Sequence, residues 1–336
     1  MTKTPGSIMR AEINEAPARF AAMVQRDLTS ALNPLSLDKV RAIYSVARGS
    51  SDAAANILSY EIMARLRLPM TSLPPSVFSL GNGVAMEGTL GLILSQSGAS
   101  SDLVQACRGI AENGGQTLLI TNSAASPASA LAQATIDIGA GPELAIPATK
   151  SVVATIAAGM AFLARLDASY RPACEMAAQA MLAMTTRTIP NKAALEAALS
   201  EAGSVFVIGR GCGYGAAQEM ALKLKETAAI HAEAYSASEV LHGPLQLASN
   251  PLTVLILDTG ENRVQDSLNT AETRLRGVGA RVFRISPADF GVTDVSPAGA
   301  AAILLAALYP VVHDVTLQLG LNPDTPENLA KITDTV

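Results

Sequence analysis

The chain has 336 residues, of which 49% are hydrophobic and 16% are charged, with a formal net charge of -5. This length allows two domains with separate cores, and an acidic chain without a basic run is not expected to bind nucleic acid. Its three widely spaced cysteines fit neither a disulfide framework nor a zinc site, which favours a reducing, cytoplasmic location.

Short apolar segments alternate with helical patterns along the first half of the chain. AIYSV (42–46), GLILS (91–95) and QTLLIT (116–121) have the length and composition of buried strands. AAANILSYEIMARL, DLVQACRGIAENG and PASALAQA follow them with the composition of helices. Apolar strands that alternate with helices predict a parallel sheet covered on both faces.

The same order returns 162 residues further along, where Arg48-Gly49 is matched by Arg210-Gly211 and LILSQSG by VLILDTG. A repeat of this length indicates a duplicated domain rather than a short solenoid unit. The segment between the halves, residues 166–200, is predicted to be helical until Pro190, and NKAALEAALSEAG leads from there into the second half. The longest apolar runs, VVATIAAGMAFLA and AAAILLAALYP, are shorter than the roughly 18 residues that cross a bilayer, so we expect a soluble protein without a membrane partner.

Hydroxyl side chains crowd the point where GLILS ends and the next helix begins. Ser95, Ser97, Ser100 and Ser101 lie there, and the loop 48–51 contributes further serines at the preceding strand end. One serine is enough to cap a helix, which is the simpler interpretation. Several hydroxyls beside free N–H groups at a helix N-terminus favour an anion site. Because P-loop and G-x-G-x-x-G motifs are absent, the predicted ligand is a small phosphorylated metabolite.

Charged residues of the second half fall on one predicted helix. Glu219, Lys223 and Glu226 share a face if residues 216–228 are helical. A solvated salt-bridge stripe is the structural alternative, but the apolar flanks indicate burial and therefore function. His242 precedes Gly-Pro and suits proton transfer better than His231, which fits a core histidine. No spacing typical of a metal site accompanies these residues, so no metal is predicted.

Five blocks of sequence together resemble one known family. SQSGASSD, GPELAIPATK, EMALKLKETAAIHAEAYSASEVLHGP and NLAKITDTV, with MRAEINEAP near the start, resemble the sugar isomerase (SIS) domain family. Within it, they resemble the isomerase half of glucosamine-6-phosphate synthase and the SIS-type glucosamine-6-phosphate deaminases. The resemblance implies an α/β fold of two tandem SIS domains, each a five-stranded parallel sheet flanked by helices in three layers. The implied division is an N-terminal helical segment 1–35, SIS domains 36–170 and 190–321, and a C-terminal tail 322–336.

The resemblance also implies the residues of the site. Those implied for phosphate binding are Ser51, Ser95, Gln96, Ser97 and Ser100. Those implied for catalysis are Glu226, His242, Lys331, Lys223 and Glu219. In the family the histidine loop reaches into the neighbouring subunit, which implies a homodimer with His242 donated across the interface.

Departures from the family pattern bear on the reaction. Thr2 stands where the synthases carry a nucleophilic cysteine, so we expect neither a glutaminase domain nor an internal ammonia source. Ala99 and Ala148 replace a usual glutamate and a usual serine, and both changes bear on specificity.

The implied activity is therefore a glucosamine-6-phosphate deaminase that forms fructose 6-phosphate and ammonia without metal or redox cofactor. One alternative is a deaminase or deglycase of another amino sugar phosphate, such as galactosamine 6-phosphate or fructosamine 6-phosphate. The other is a non-catalytic phosphosugar-binding SIS protein. The presence of Glu226, His242 and Lys331 argues against that second alternative.

Overall fold

A computed structural model describes residues 4–331 of the chain. It contains two parallel sheets, of five and four strands, with helices packed against both. The strands are β1 Ala42–Val46, β2 Met70–Ser72, β3 Thr89–Ser95, β4 Gln116–Thr121, β5 Ala134–Asp137, β6 Val205–Gly209, β7 Ala232–Ser236, β8 Thr253–Leu257 and β9 Arg281–Ile285. The helices are α1 Ser7–Val24, α2 Thr29–Leu32, α3 Gly49–Leu66, α4 Ser76–Ser79, α5 Ser101–Glu112, α6 Lys150–Leu166, α7 Arg171–Ala183, α8 Lys192–Ser200, α9 Cys212–Ala228, α10 Gln265–Gly277 and α11 Pro297–Gln318.

The first sheet has the strand order β2-β1-β3-β4-β5, with every neighbouring pair parallel. The strands predicted from AIYSV and QTLLIT are confirmed as β1 and β4, and GLILS lies within β3. The helix predicted from PASALAQA is wrong, because residues 127–131 form turns. The backbone N–H of Ala128 donates to the carbonyl of Gly98 at 3.0 Å. This bond holds the segment against the loop that follows β3, so this N–H group is not used in a helix.

The second sheet has four strands in the order β7-β6-β8-β9, so the expectation of five strands in each sheet is wrong for this half. Eleven residues separate β9 from α11, whereas twenty-eight separate β4 from α6. Ser286 and Asp289 form a capping box that turns the chain into a 3₁₀ helix directly after β9. The remaining connection is too short for a fifth strand and a return to the helix layer.

One hydrophobic core joins the two sheets. Alternate residues of each strand face it, such as Leu92 and Leu94 of β3 and Leu255 of β8, together with α1, α3, α6, α9 and α11. The opposite faces of the sheets pack against α5 in the first half and α10 in the second. This two-sided burial explains why the strands read as continuous apolar runs in the sequence.

Helix α9 of the second half packs closely against α3 of the first. Gly215 lies at their contact, where an added Cβ would come within 2.6 Å of the Ile57 nitrogen and 2.8 Å of the Ala53 carbonyl oxygen. The absence of a side chain therefore allows the two backbones to approach, which brings the charged face of α9 to the N-terminal end of α3.

Helix α11 departs from the expectation that the apolar runs are too short to span a bilayer. Within residues 4–331 it is the one helix whose length and composition would allow it to cross a membrane. It extends beyond AAAILLAALYP in both directions. A count of consecutive apolar residues therefore underestimated the length of the helix. In the structure, 83% of its most apolar window is buried inside the protein.

Candidate active site

A cleft of about 390 Å³ opens at the carboxyl edge of the first sheet. The loops that follow β1 and β3 form one wall, and α3 and α5 begin there with their N-termini toward the cleft. Residues of both halves and of the C-terminal tail complete it. The lining residues used below are Arg48, Ser51, Ser95, Gln96, Ser97, Ser100, Ile146, Ala148, Glu226 and Lys331.

The serine loop between β3 and α5 is held in place by a hydrogen bond within the loop and by a glycine turn. The Ser95 hydroxyl accepts the N–H of Gly98 at 3.0 Å, and Gly98 has φ +60°. A Cβ on Gly98 would lie 2.1 Å from the Ser126 hydroxyl oxygen, so only glycine fits at this turn. Ser100 precedes the first residue of α5, and its backbone is extended. The loop thus presents hydroxyls and helix N–H groups to the cleft, an arrangement suited to an anion.

Arg48 lies at the cleft wall and was not singled out as a site residue from the sequence. Its Nε and Nη2 donate to Asp102 Oδ2 at 2.9 and 2.6 Å. Asp102 is fully buried in the first turn of α5, whereas half of the Arg48 side chain is exposed. The pair links the two loops that carry the serines and leaves a guanidinium face at the cleft. The signal in the sequence was the Arg-Gly shared by both halves, which indicated a repeat but not this partner.

Glu219, Lys223 and Glu226 lie on one face of α9, as their spacing predicts. Lys223 Nζ forms an ion pair with Glu226 Oε2 and lies 3.7 Å from Glu219 Oε1. Glu219 and Lys223 are fully buried, whereas 24% of the Glu226 side chain is exposed. Glu226 is therefore the member of the group that reaches the cleft, and a solvated salt-bridge stripe does not describe the face.

Burial governs the ionisation of the two inner residues. It raises the pKa of Glu219 to about 7, although the neighbouring Lys223 ammonium acts in the opposite direction. Burial also opposes the charge on Lys223, but the carboxylates of Glu219 and Glu226 outweigh it and raise the pKa of this lysine. The hydroxyl of Tyr309, on α11, donates to Glu219 Oε1 at 3.0 Å. A charged lysine thus lies between two carboxyl groups of which the inner one is easily protonated near neutral pH.

Lys331 reaches the cleft from the C-terminal tail. Its Nζ donates to the carbonyl oxygens of Ala145 at 2.5 Å and Ile146 at 3.5 Å, in the loop between β5 and α6. That loop contains the GPELAIPATK block, and its Ile146 and Ala148 also line the cleft. The structure therefore brings Lys331 together with Glu226 and the serine loop.

The histidines lie outside this cleft in the described chain. His242 is exposed and borders a separate depression with Leu245, Gln246 and Ser249. His231 is 68% exposed, so the interpretation of it as a core histidine is wrong, because the turn after α9 leaves it at the surface. Of the residues expected in the site, the five phosphate-binding ones, Glu226 and Lys331 line the cleft, Lys223 and Glu219 lie behind Glu226, and His242 is elsewhere.

Within residues 4–331, no group of three or more histidine, cysteine or acidic side chains has an arrangement that could hold a metal ion. The three cysteines are free thiols, and all are buried. The cleft itself is lined by hydroxyl, N–H, carboxyl, guanidinium and ammonium groups.

Comparison with known proteins identifies the family of the chain. The SIS domain profile matches residues 36–165 and 198–291. The chain is 31% identical over 315 residues to a glutamine–fructose-6-phosphate aminotransferase (isomerizing) from Methanothermobacter thermautotrophicus, which covers 88% of this chain and 52% of the relative. The protein belongs to the SIS domain family, and it spans about half the length of the relatives it matches.

Two solved structures share this architecture. A candidate phosphosugar isomerase from Silicibacter pomeroyi DSS-3 is 31% identical with a TM-score of 0.83, covering 96% of this chain and 100% of that one. The C-terminal domain of glucosamine-fructose-6-phosphate aminotransferase from Francisella tularensis is 21% identical with a TM-score of 0.80, covering 95% and 98%. At 21% identity, the second comparison supports only a shared fold.

Proposed function

We propose that the protein is an enzyme that deaminates an amino sugar 6-phosphate, with glucosamine 6-phosphate as the substrate. The observation that carries the proposal is the shared cleft, where the serine loop, Glu226 and Lys331 face one space. A cleft of about 390 Å³ is of the size that small-ligand sites have, and it suits a hexose phosphate. The relatives are named for fructose 6-phosphate, which is the product of the proposed reaction.

Phosphate recognition is assigned to the first half, residues 36–170. Ser51, Ser95, Gln96, Ser97 and Ser100 would bind the phosphate oxygens together with N–H groups at the starts of α3 and α5. This assignment is supported by the two helix N-termini at the cleft and by the Arg48 guanidinium beside them. A phosphate held there leaves the sugar carbons directed toward the residues of the second half, 190–321, and the tail.

Glu226 is assigned the proton transfer. In the open-chain aldose it would remove the proton from carbon 2 and return a proton to carbon 1, which converts the amino aldose into a ketose imine. Water then adds to carbon 2, and the carbon–nitrogen bond breaks to give ammonia and fructose 6-phosphate. Partial exposure of Glu226 and its ion pair with Lys223 support this role, because the carboxyl group is oriented and accessible.

His242 is assigned the opening of the sugar ring, from the partner subunit of a homodimer. Its exposed position away from the cleft of its own chain is compatible with that donation. Mixing Glu226→Gln and His242→Ala chains tests it, because a mixed dimer would contain one site with both native residues. With random exchange, about a quarter of all sites would regain activity. Absence of recovery in subunits shown to have exchanged would assign each site to one chain.

Ammonia release from a panel of sugar phosphates tests the reaction itself. The panel contains glucosamine 6-phosphate, galactosamine 6-phosphate, fructosamine 6-phosphate and unphosphorylated glucosamine, with Glu226→Gln as the inactive control. We expect the fastest release from glucosamine 6-phosphate and very slow release from glucosamine. Preference for another amino sugar phosphate would change the substrate, and comparable turnover of glucosamine and its 6-phosphate would refute the serine loop as a phosphate site. Binding of the panel without turnover would favour a phosphosugar sensor.

A further inference from the structure

The loop between β5 and α6 contains a buried carboxylate to which no role has been given above. The side chain of Glu143 is fully buried. Its Oε1 accepts the backbone N–H groups of Thr149 at 3.0 Å and Ser151 at 3.1 Å, and its Oε2 accepts the Ser151 hydroxyl at 2.5 Å. Glu143 thereby satisfies free N–H groups at the N-terminus of α6 and closes the loop on itself.

The same carboxylate faces the lysine of the C-terminal tail. Lys331 Nζ lies 3.7 Å from Glu143 Oε2, and within residues 4–331 no other acidic side chain pairs with it. The two carbonyl oxygens that accept from Lys331, those of Ala145 and Ile146, belong to the loop that Glu143 closes. One loop therefore supplies the negative charge and both backbone acceptors that hold this ammonium group.

Both groups of the pair have a physical reason to remain together. A buried carboxylate is unfavourable unless hydrogen bonds and an opposite charge compensate it. The Lys331 side chain is 29% exposed and has several rotatable bonds, so without a fixed counter-charge it would sample many rotamers at the cleft. The contact restricts the ammonium to one part of the cleft, beside Ile146 and Ala148 of the lining.

We propose that Glu143 is a positioning residue for Lys331, which it holds at the cleft through its Oε2 while its Oε1 caps α6. The loop and the tail, 186 residues apart in the chain, then keep a fixed geometry across the cleft. The effect of this residue on turnover rests on the proposed function, whereas its effect on Lys331 does not.

Glu143→Gln separates the two contacts of this side chain. The amide oxygen can still accept the N–H groups of Thr149 and Ser151, and the amide NH₂ can donate to the Ser151 hydroxyl. Only the negative charge toward Lys331 is lost. Glu12→Gln is the matched control, because Glu12 is also buried, accepts N–H groups of Leu144 and Ala145 in the same loop, and forms no ion pair with Lys331.

A double-mutant cycle tests the action through Lys331. We expect Glu143→Gln to lower kcat about 10-fold in the native background and less than about 2-fold in a Lys331→Met background, as for residues in direct contact. Glu12→Gln should lower the melting temperature and keep kcat within about 2-fold of the wild type. Equal falls in kcat for Glu143→Gln in both backgrounds would refute the proposal.

The reactivity of Lys331 provides a measurement that does not depend on catalysis. Acetylation of this amine by an N-hydroxysuccinimide ester, followed by peptide mass spectrometry, should be about 5-fold faster in Glu143→Gln than in Glu12→Gln, because the carboxylate no longer holds the amine against the loop. Equal acetylation rates in the two variants would overturn the proposal. This result can be obtained even if the Lys331→Met variant has no measurable turnover. Faster acetylation in a protein that releases no ammonia would refute the proposed function alone.

Discussion

The strand-end loops of the two halves have the same place in the repeat but different chemistry. At the end of β3, Ser95, Gln96 and Ser97 line the cleft, and the hydroxyls of Ser95 and Ser97 accept N–H groups of their own loop. At the end of β8, the matching positions are Leu257, Asp258 and Thr259. Only the first loop presents hydroxyl groups to an open space.

The second loop is occupied by an internal network. Asp258 accepts the N–H of Gly260 at 2.8 Å and the Gln265 amide at 2.9 Å, and it pairs with Arg284 at 2.8 Å. Arg284 also donates to Glu272 on α10. A carboxylate at this turn repels an anion, and the N–H of Gly260 is already bonded to it. Under the proposed function, the first loop is the anion site because its hydroxyls face the cleft, whereas the carboxylate of the second loop is bonded within the protein.

The strongest test of this comparison removes the base that faces the first loop. Glu226→Gln preserves the size of the side chain and removes its basicity, so kcat should fall by about 10²–10⁴ with little change in ligand affinity. Glu261→Gln, beside the second loop, is the control and should leave kcat unchanged. Substrate deuterated at carbon 2, followed by NMR, should retain part of its label in the wild type. Near-native turnover by Glu226→Gln would exclude Glu226 as the base and would indicate that the charged face of α9 has a structural role only.

A matched pair of hydroxyl substitutions compares the loops directly. Ser97→Ala should raise KM by about 10- to 150-fold, because one hydrogen bond to a charged group contributes about 1.5–3 kcal/mol. Thr259→Val, at the equivalent position of the second loop, should leave KM unchanged. The Thr259 hydroxyl is buried without a hydrogen-bond partner in the described part of the chain, so its loss should also leave stability nearly unchanged. Similar KM values for both variants and the wild type would contradict the anion site.

The network of the second loop should matter for stability and not for substrate affinity. Asp258→Asn keeps a hydrogen-bond acceptor for Gly260 but leaves the partly buried Arg284 without this counter-charge. We expect the free energy of unfolding to fall by about 1–3 kcal/mol, measured with urea, at an unchanged KM. A rise in KM comparable to that of Ser97→Ala would show that the second loop also binds substrate.

A dependence of stability on pH, without a change in activity, is expected from Glu219, which lies behind the cleft on α9. Burial raises its pKa from 4.5 to about 7, so the folded protein retains a proton that the unfolded chain loses. The free energy of unfolding should therefore decrease as the pH rises from about 4.5 to 7, by at most about 1.4 kcal/mol per pH unit, and then level off. Urea unfolding at pH 5, 6 and 7 should show a shallower decrease in Glu219→Gln. Identical slopes in the two proteins would contradict the raised pKa.

Sequence patterns were reliable where local chemistry determines local structure. The strands β1 and β4, the helical segment before Pro190 and the charged face of α9 were all predicted from apolar runs and residue spacing. The prediction of a fifth strand in the second sheet was wrong. The resemblance implied two equal halves, but the short connection after Ile285 leaves no room for another strand. The pair Arg48–Asp102 could not be predicted, because the Asp102 carboxylate reads as an ordinary acidic residue in the first turn of a helix.

By itself, the sequence determined the alternation of strands and helices and the crowding of hydroxyls at one strand end, because both depend on neighbours within a few residues. It also determined the repeat, because two stretches of the same chain can be compared without a structure. Only the tertiary structure decided which polar groups remain available. Packing of α3 on α9 places Glu226 near the serine loop. Asp258 forms an ion pair with Arg284, and the C-terminal tail brings Lys331 close to Glu143. These contacts join segments far apart in the chain, and whether a donor or a charge is free depends on partners that spacing along one sequence does not identify.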